Sequence, residues 1–253
     1  MTPTHPIRRE WQAFWLALGF LTRIPMLVRI DYSQTLMNQS SLYFPLVGLV
    51  LGALYAGLYS LLVLAFSPVT AIVAVVAFHL WLTGAFHEDG LADSADGIGG
   101  GLTVADRLRI MKDSRIGTYG TAALVMALAL KVTLLLDTQH IWLALLVAPA
   151  IARLAPLWLM YRLPYVTDPD QSKTKPVAEG FSGIRLGVAH ALVLAIILAC
   201  WPWAPYLALL AAGAVGLTCL LWGGLLMRRL GGYTGDTLGA SVVLCELATL
   251  ALL

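Results

Sequence analysis

The 253-residue chain is 59% hydrophobic and only 12% charged, with a mean hydropathy of +0.82 and a formal net charge of +2. Soluble domains carry roughly 25% charged residues, so this chain has too little charge to wet a globule of its size. Disorder requires low hydrophobicity and nucleic-acid binding requires a basic face; both are excluded, which leaves an integral membrane protein.

In chain order, residues 11–22 come first, with Trp11, Phe14, Trp15, Leu18 and Leu21 on one helical face. The stretch is too short to cross a bilayer, so it reads as an amphipathic helix lying at the interface. Arg8 and Arg9 ahead of it resemble a secretory leader, but the run ends at Arg23-Ile24-Pro25 without a small-residue cleavage site, so it stays in the mature chain. Apolar runs follow at 43–66, 69–87, 119–137, 140–160, 186–201, 203–227 and 237–253, with Trp201-Pro202-Trp203-Ala204-Pro205 as the turn of a hairpin. A spanning helix needs about 20 apolar residues. The expectation is an all-α polytopic membrane protein of about seven transmembrane helices plus the N-terminal interfacial helix. It forms one integral membrane domain over 1–253, with 1–42 a cytoplasmic or interfacial segment and 88–118 a cytoplasmic catalytic loop. Cys200, Cys219 and Cys245 lie in apolar runs without ligand spacing, which argues against zinc and a disulfide framework.

Every Lys and Arg except Lys131 and Arg153 falls in the N-terminal segment or in the 88–118, 161–185 and 228–236 connections. The opposite connections carry none. The positive-inside rule therefore places the N-terminus and the polar loops in the cytoplasm.

The polar residues concentrate at Phe86-His87-Glu88-Asp89-Gly90-Leu91-Ala92-Asp93-Ser94-Ala95-Asp96-Gly97. Asp89, Asp93 and Asp96 stand at i, i+4 and i+7 and share a helical face. Three carboxylates so close repel unless a cation joins them, and oxygen-only ligands suit Mg²⁺ working with substrate phosphates. The bland alternative is a solvated acidic loop, yet Gly, Ala, Leu and Ser separate the acids where a wet loop would carry Lys, Asn or Gln. Thr103-Val104-Ala105-Asp106 then starts a short helix presenting Arg107, Arg109 and Lys112, with Arg115 beyond it. Guanidinium forks beside a metal face suit a diphosphate, although these cations also satisfy positive-inside. A second polar knot, Gly231 to Gly239, contains Asp236, which is either an N-cap or a further site acid. Lys131, Arg153 and Glu246 lie at membrane depth, where ionisable groups are functional candidates unless they neutralise one another.

These residues resemble the cobalamin synthase family, the adenosylcobinamide-GDP ribazoletransferases of bacteria and archaea. The resemblance rests on the Phe86–Gly97 acidic stretch, on Lys112-Asp113-Ser114-Arg115-Ile116-Gly117-Thr118-Tyr119-Gly120 and on Gly235-Asp236-Thr237-Leu238-Gly239-Ala240. Phe20-Leu21-Thr22-Arg23-Ile24-Pro25 and Phe44-Pro45-Leu46-Val47-Gly48 also fall in order, so it spans nearly the whole chain. It implies an Mg²⁺-dependent enzyme of the bacterial inner membrane, active on the cytoplasmic face. Adenosylcobinamide-GDP would be condensed with α-ribazole or its 5′-phosphate, with release of GMP. The implied catalytic acids are Asp89, Asp93, Asp96 and Asp236, the first three also holding the metal. Arg23, Arg107, Arg109, Lys112, Arg115 and Lys131 are the substrate-binding candidates. Glu88 departs from the family pattern and is not taken as a ligand, and the glycines after Gly97 leave the length of the acidic helix open. The implied partners are the two substrates and membrane lipid, with no nucleic acid and a homo-oligomer allowed for. A CDP-alcohol phosphotransferase would need Ala-Arg soon after the first Asp-Gly, whereas Ala92 is followed by Asp93. A transporter using Lys131, Arg153 and Glu246 would show discontinuous helices and pseudo-symmetric halves, and neither is evident in the sequence.

Overall fold

The computed structural model describes residues 6–166 and 181–253. Lys173 and Lys175, counted above among the cytoplasmic basic residues, lie outside the described residues. Among the described residues the chain is helical: α1 (Pro6–Leu21), α2 (Gln34–Ser40), α3 (Phe44–Leu62), α4 (Pro68–Thr83), α5 (Phe86–Gly100), α6 (Val104–Met111), α7 (Thr118–Asp137), α8 (Ile141–Ala152), α9 (Leu154–Arg162), α10 (Gly183–Ala199), α11 (Leu207–Arg229) and α12 (Gly235–Leu252). In an apolar medium every backbone N–H and C=O must be paired within the segment, which is why the Leu-, Ala- and Val-rich runs adopt helix.

Each of the seven apolar runs contains a helix, but not all are straight spans. Five helical segments are long and apolar enough to cross a membrane, and α4 with α5 makes a sixth only as a pair bent by 87°. The remaining run gives α10, apolar but only 17 residues long. The run expected at 69–87 stops at Thr83 because Gly84 (φ 68°) and Ala85 (φ 55°) both take left-handed backbone. The chain then re-enters helix as α5, which carries the acidic stretch. The glycines after Gly97 do not shorten it, since α5 continues to Gly100. The 88–118 stretch is thus two helices, α5 and α6, with short breaks.

The α8–α9 segment is the centre of the bundle. Over an 18-residue stretch 89% of it is buried, against 22% for α7. Pro149 lies inside α8, and Arg153 marks the join to α9. The α3 helix meets α8 nearly backbone to backbone: a Cβ added at Gly48 or Gly52 would overlap the carbonyls of Pro149 and Leu146. Small residues at four-residue spacing allow this approach in membrane helices, where dispersion and not hydrophobicity drives association. Against this central layer α12 packs along α5, α8 and α11, so its first turn lies beside α5.

Candidate active site

Two helix starts build the site. On α5, Asp89 is exposed, Asp93 half-buried and Asp96 buried. On α12 the N-cap is Thr234, whose hydroxyl accepts from the Thr237 N–H at 3.2 Å, while the Thr237 hydroxyl accepts from the Thr234 N–H at 2.8 Å. This capping box assigns the cap to Thr234 and places Asp236 in the first turn of the helix.

The two elements meet closely enough to share chemistry. A Cβ added at Gly90 would lie 2.6 Å from the Asp236 carbonyl oxygen, so only glycine permits the contact. The negative charges of Asp89, Asp236 and Asp96 all act on Asp93, and that of Asp89 acts on Asp236. Among the described residues no Lys or Arg forms an ion pair with Asp89, Asp93 or Asp236. Such a cluster calls for an external cation.

Asp96 is drawn away from the cluster. Its Oδ2 accepts the Gly117 N–H at 2.6 Å and its Oδ1 the Gly120 N–H at 2.8 Å, at the start of α7. A carboxylate suits a helix N-terminus, where N–H groups are unpaired and the dipole is positive. A Cβ on either glycine would meet the carboxylate, which explains the Gly-x-x-Gly spacing. Asp96 thus joins α5 to α7, whereas the sequence placed it among the metal ligands. Among the described residues no three His, Cys, Asp or Glu side chains converge as a preformed metal cage. Mg²⁺ does not need one, because it keeps several waters and uses one or two carboxylates plus substrate phosphates. Asp89 and Asp93 fit that mode, with Asp236 facing them.

The predicted cations divide into free and engaged groups. Arg107 is buried and donates to the carbonyls of Arg229 (2.8 Å) and Leu102 (3.0 Å), tying α6 to the end of α11. Arg115 chelates Asp113 at 2.7 and 3.0 Å, and its hydrogen bonds hold the Asp113 carboxyl down at about 2. Lys131 pairs with Glu246 at 3.0 Å inside the bundle, the neutralised alternative, and so stands apart from the acidic cluster. Arg109 lies 3.7 Å from Asp106 in an exposed pair. Lys112 is exposed, without an ion pair among the described residues, and its charge acts on Asp236. Arg23 is also exposed, and it covers the elbow before α5, where a Cβ on Gly84 would lie 3.1 Å from its Nε. Lys112 and Arg23 are therefore the cations placed to meet a ligand.

The profile of cobalamin-5-phosphate synthase matches residues 13–253. The chain belongs to the cobalamin-5-phosphate synthase family. Relatives named adenosylcobinamide-GDP ribazoletransferase include one from Vibrio parahaemolyticus, 42% identical over 95% of this chain and 91% of its own. One from Vibrio cholerae is 44% identical over 95% and 92%, and one from Shewanella woodyi 41% over 96% of each. No solved structure matches the chain.

In this cobalamin-5-phosphate synthase relative, three features of the site were missed in the sequence. The Thr234–Thr237 box was hidden by Asp236, itself a good cap; the Thr-x-x-Thr spacing was its only signal. The role of Gly117 and Gly120 was masked because glycine pairs usually read as turns. Glu88 is buried and bonds His79 across the elbow at 2.8 Å, a pairing nine residues apart that no helical periodicity reveals.

Proposed function

We propose that the chain is an adenosylcobinamide-GDP ribazoletransferase. It joins adenosylcobinamide-GDP to α-ribazole, or to its 5′-phosphate, and releases GMP, with Mg²⁺ as cofactor. The observation that carries this reading is the cluster of Asp89, Asp93 and Asp236, which among the described residues forms no ion pair with Lys or Arg, with the Lys112 charge acting on Asp236 and Arg23 at the elbow before α5. Family membership and the relatives' printed names support the same activity.

Asp89 and Asp93 would hold the metal, which when bound neutralises the diphosphate and the leaving GMP. Lys112, and Arg23 from the elbow before α5, would bind phosphate oxygens. Asp236, contributed by a different helix from the two ligands, accepts the proton of the attacking ribose hydroxyl. The hydroxyl oxygen forms a bond to the phosphorus on the corrinoid side, and the bond from that phosphorus to GMP breaks. The N-terminus and the site lie on the cytoplasmic side of a bacterial inner membrane, a reading supported by the positive-inside rule applied to Arg8, Arg9, Arg23, Arg107 and Arg228. The test is GMP release from adenosylcobinamide-GDP by purified protein in nanodiscs, with and without α-ribazole. Dependence on both substrates supports the reading; a folded sample that releases none contradicts it.

A further inference from the structure

Behind the acidic face runs a buried polar chain that the proposed reaction does not use. Tyr55 of α3 bonds His79 Nδ1 at 2.8 Å, and His79 Nε2 bonds Glu88 Oε1 at 2.8 Å. All three residues are under 5% exposed. Both ring nitrogens of His79 are thus engaged, Nδ1 with the Tyr55 hydroxyl and Nε2 with the Glu88 carboxylate, which accepts the proton-bearing Nε2–H. The charge of Arg153, in the central segment, acts on both Tyr55 and Glu88.

The chain spans the α4–α5 elbow from inside. His79 lies near the end of α4 and Glu88 in the first turn of α5, with Gly84 and Ala85 between them. Ala85 holds a positive φ, a conformation that persists in a residue with a side chain only when its surroundings over-determine it. Glu88 also fixes the rotation of α5 about its axis. Successive residues on a helix point about 100° apart, so Glu88 locked inward sends its neighbour Asp89 outward, and Asp93 with it. A carboxylate adjacent to Asp89 could otherwise exchange places with it by one residue's rotation.

We propose that His79 and Glu88, backed by Tyr55, are positioning residues for the transfer, a strut that sets the phase of α5 and aims Asp89 and Asp93 at Asp236. The inference rests on the functional reading above. The decisive variants are Glu88→Gln, which keeps an acceptor for the His79 N–H, and Glu88→Leu, which removes it. Each is measured as folded, monodisperse protein for GMP release against Mg²⁺ concentration and for Mn²⁺ binding by titration of the free-ion EPR signal. The expected result is kcat within about twofold of wild type for Glu88→Gln, and about tenfold lower for Glu88→Leu. Weaker Mn²⁺ binding should accompany the loss in Glu88→Leu and not in Glu88→Gln. A merely structural contact would lower thermal stability and leave both quantities unchanged in the folded fraction, and that result overturns the proposal. Equal damage from Gln and Leu overturns it too, because charge and not geometry would then be at work. If Glu88→Leu does not fold, Tyr55→Phe removes only the hydroxyl behind His79. A several-fold loss in kcat with a matching rise in Mg²⁺ half-saturation supports the strut, and wild-type values for both overturn it. A wild-type protein that neither releases GMP nor binds Mn²⁺ overturns the functional reading and the strut's role with it; an active wild type with indifferent variants overturns the strut alone.

Discussion

Replacing Gly90 by Ala tests whether the α5–α12 contact assembles the site. The new Cβ would lie 2.6 Å from the Asp236 carbonyl oxygen, while ordinary contact begins at 3.4 Å, so the two backbones must part by about 0.8 Å. Both partners are helix backbone, and no flexible side chain can absorb the shift. Forced overpacking of this kind costs about 1–3 kcal/mol. The same displacement moves Asp89 and Asp93 away from Asp236, and misplacement near 1 Å at a reacting centre costs on the order of 100-fold in rate. Gly90→Ala should therefore lower the unfolding midpoint of the purified protein and cut GMP release about 10- to 100-fold at saturating substrates. Gly216→Ala on α11 is the control, because an added Cβ there meets nothing within 4 Å. It should retain full turnover with no loss of stability. A Gly90→Ala protein as stable and as active as the control would refute the close approach and the two-helix site built on it.

Lys131→Met should destabilise the fold by about 3–5 kcal/mol by leaving Glu246 charged and unpaired, and the Lys131→Met/Glu246→Met double variant should recover most of that loss in the same unfolding assay. Asp96→Ala strands the buried Gly120 N–H and should cost about 1–3 kcal/mol for that group alone, read as a lower unfolding midpoint and faster amide exchange at the start of α7. Thr234→Ala should cost roughly 0.5–2 kcal/mol through loss of the cap, whereas Asp236→Asn should leave the unfolding midpoint near wild type and abolish turnover.

Much of this arrangement is written in the chain at the level of period and charge. The seven apolar runs and the Trp-Pro turn fall where helices and their connection stand, since within one continuous apolar run helix pairs every lipid-facing backbone group. The α4–α5 elbow was not legible because Gly84 and Ala85 are both tolerated inside apolar helices, and the bend follows from tertiary bonds such as His79–Glu88. Spacing placed Asp89, Asp93 and Asp96 on a single helix, which is α5. It could not show that Asp96 turns to the N–H groups of Gly117 and Gly120, because that partner lies more than twenty residues away. The basic residues were the least readable. Composition assigns Arg107, Arg115 and Lys131 the same charge as Lys112, and only packing reveals that the first three are already engaged.

The most direct test of the account is GMP release by the wild-type protein beside Asp93→Asn, with both substrates present, before and after chelation and with Mg²⁺ restored. The account predicts wild-type release that stops on chelation and returns with Mg²⁺, and an Asp93→Asn protein that stays folded but inactive even at saturating Mg²⁺. Release that survives complete chelation, or an Asp93→Asn protein with near-normal turnover, would contradict it.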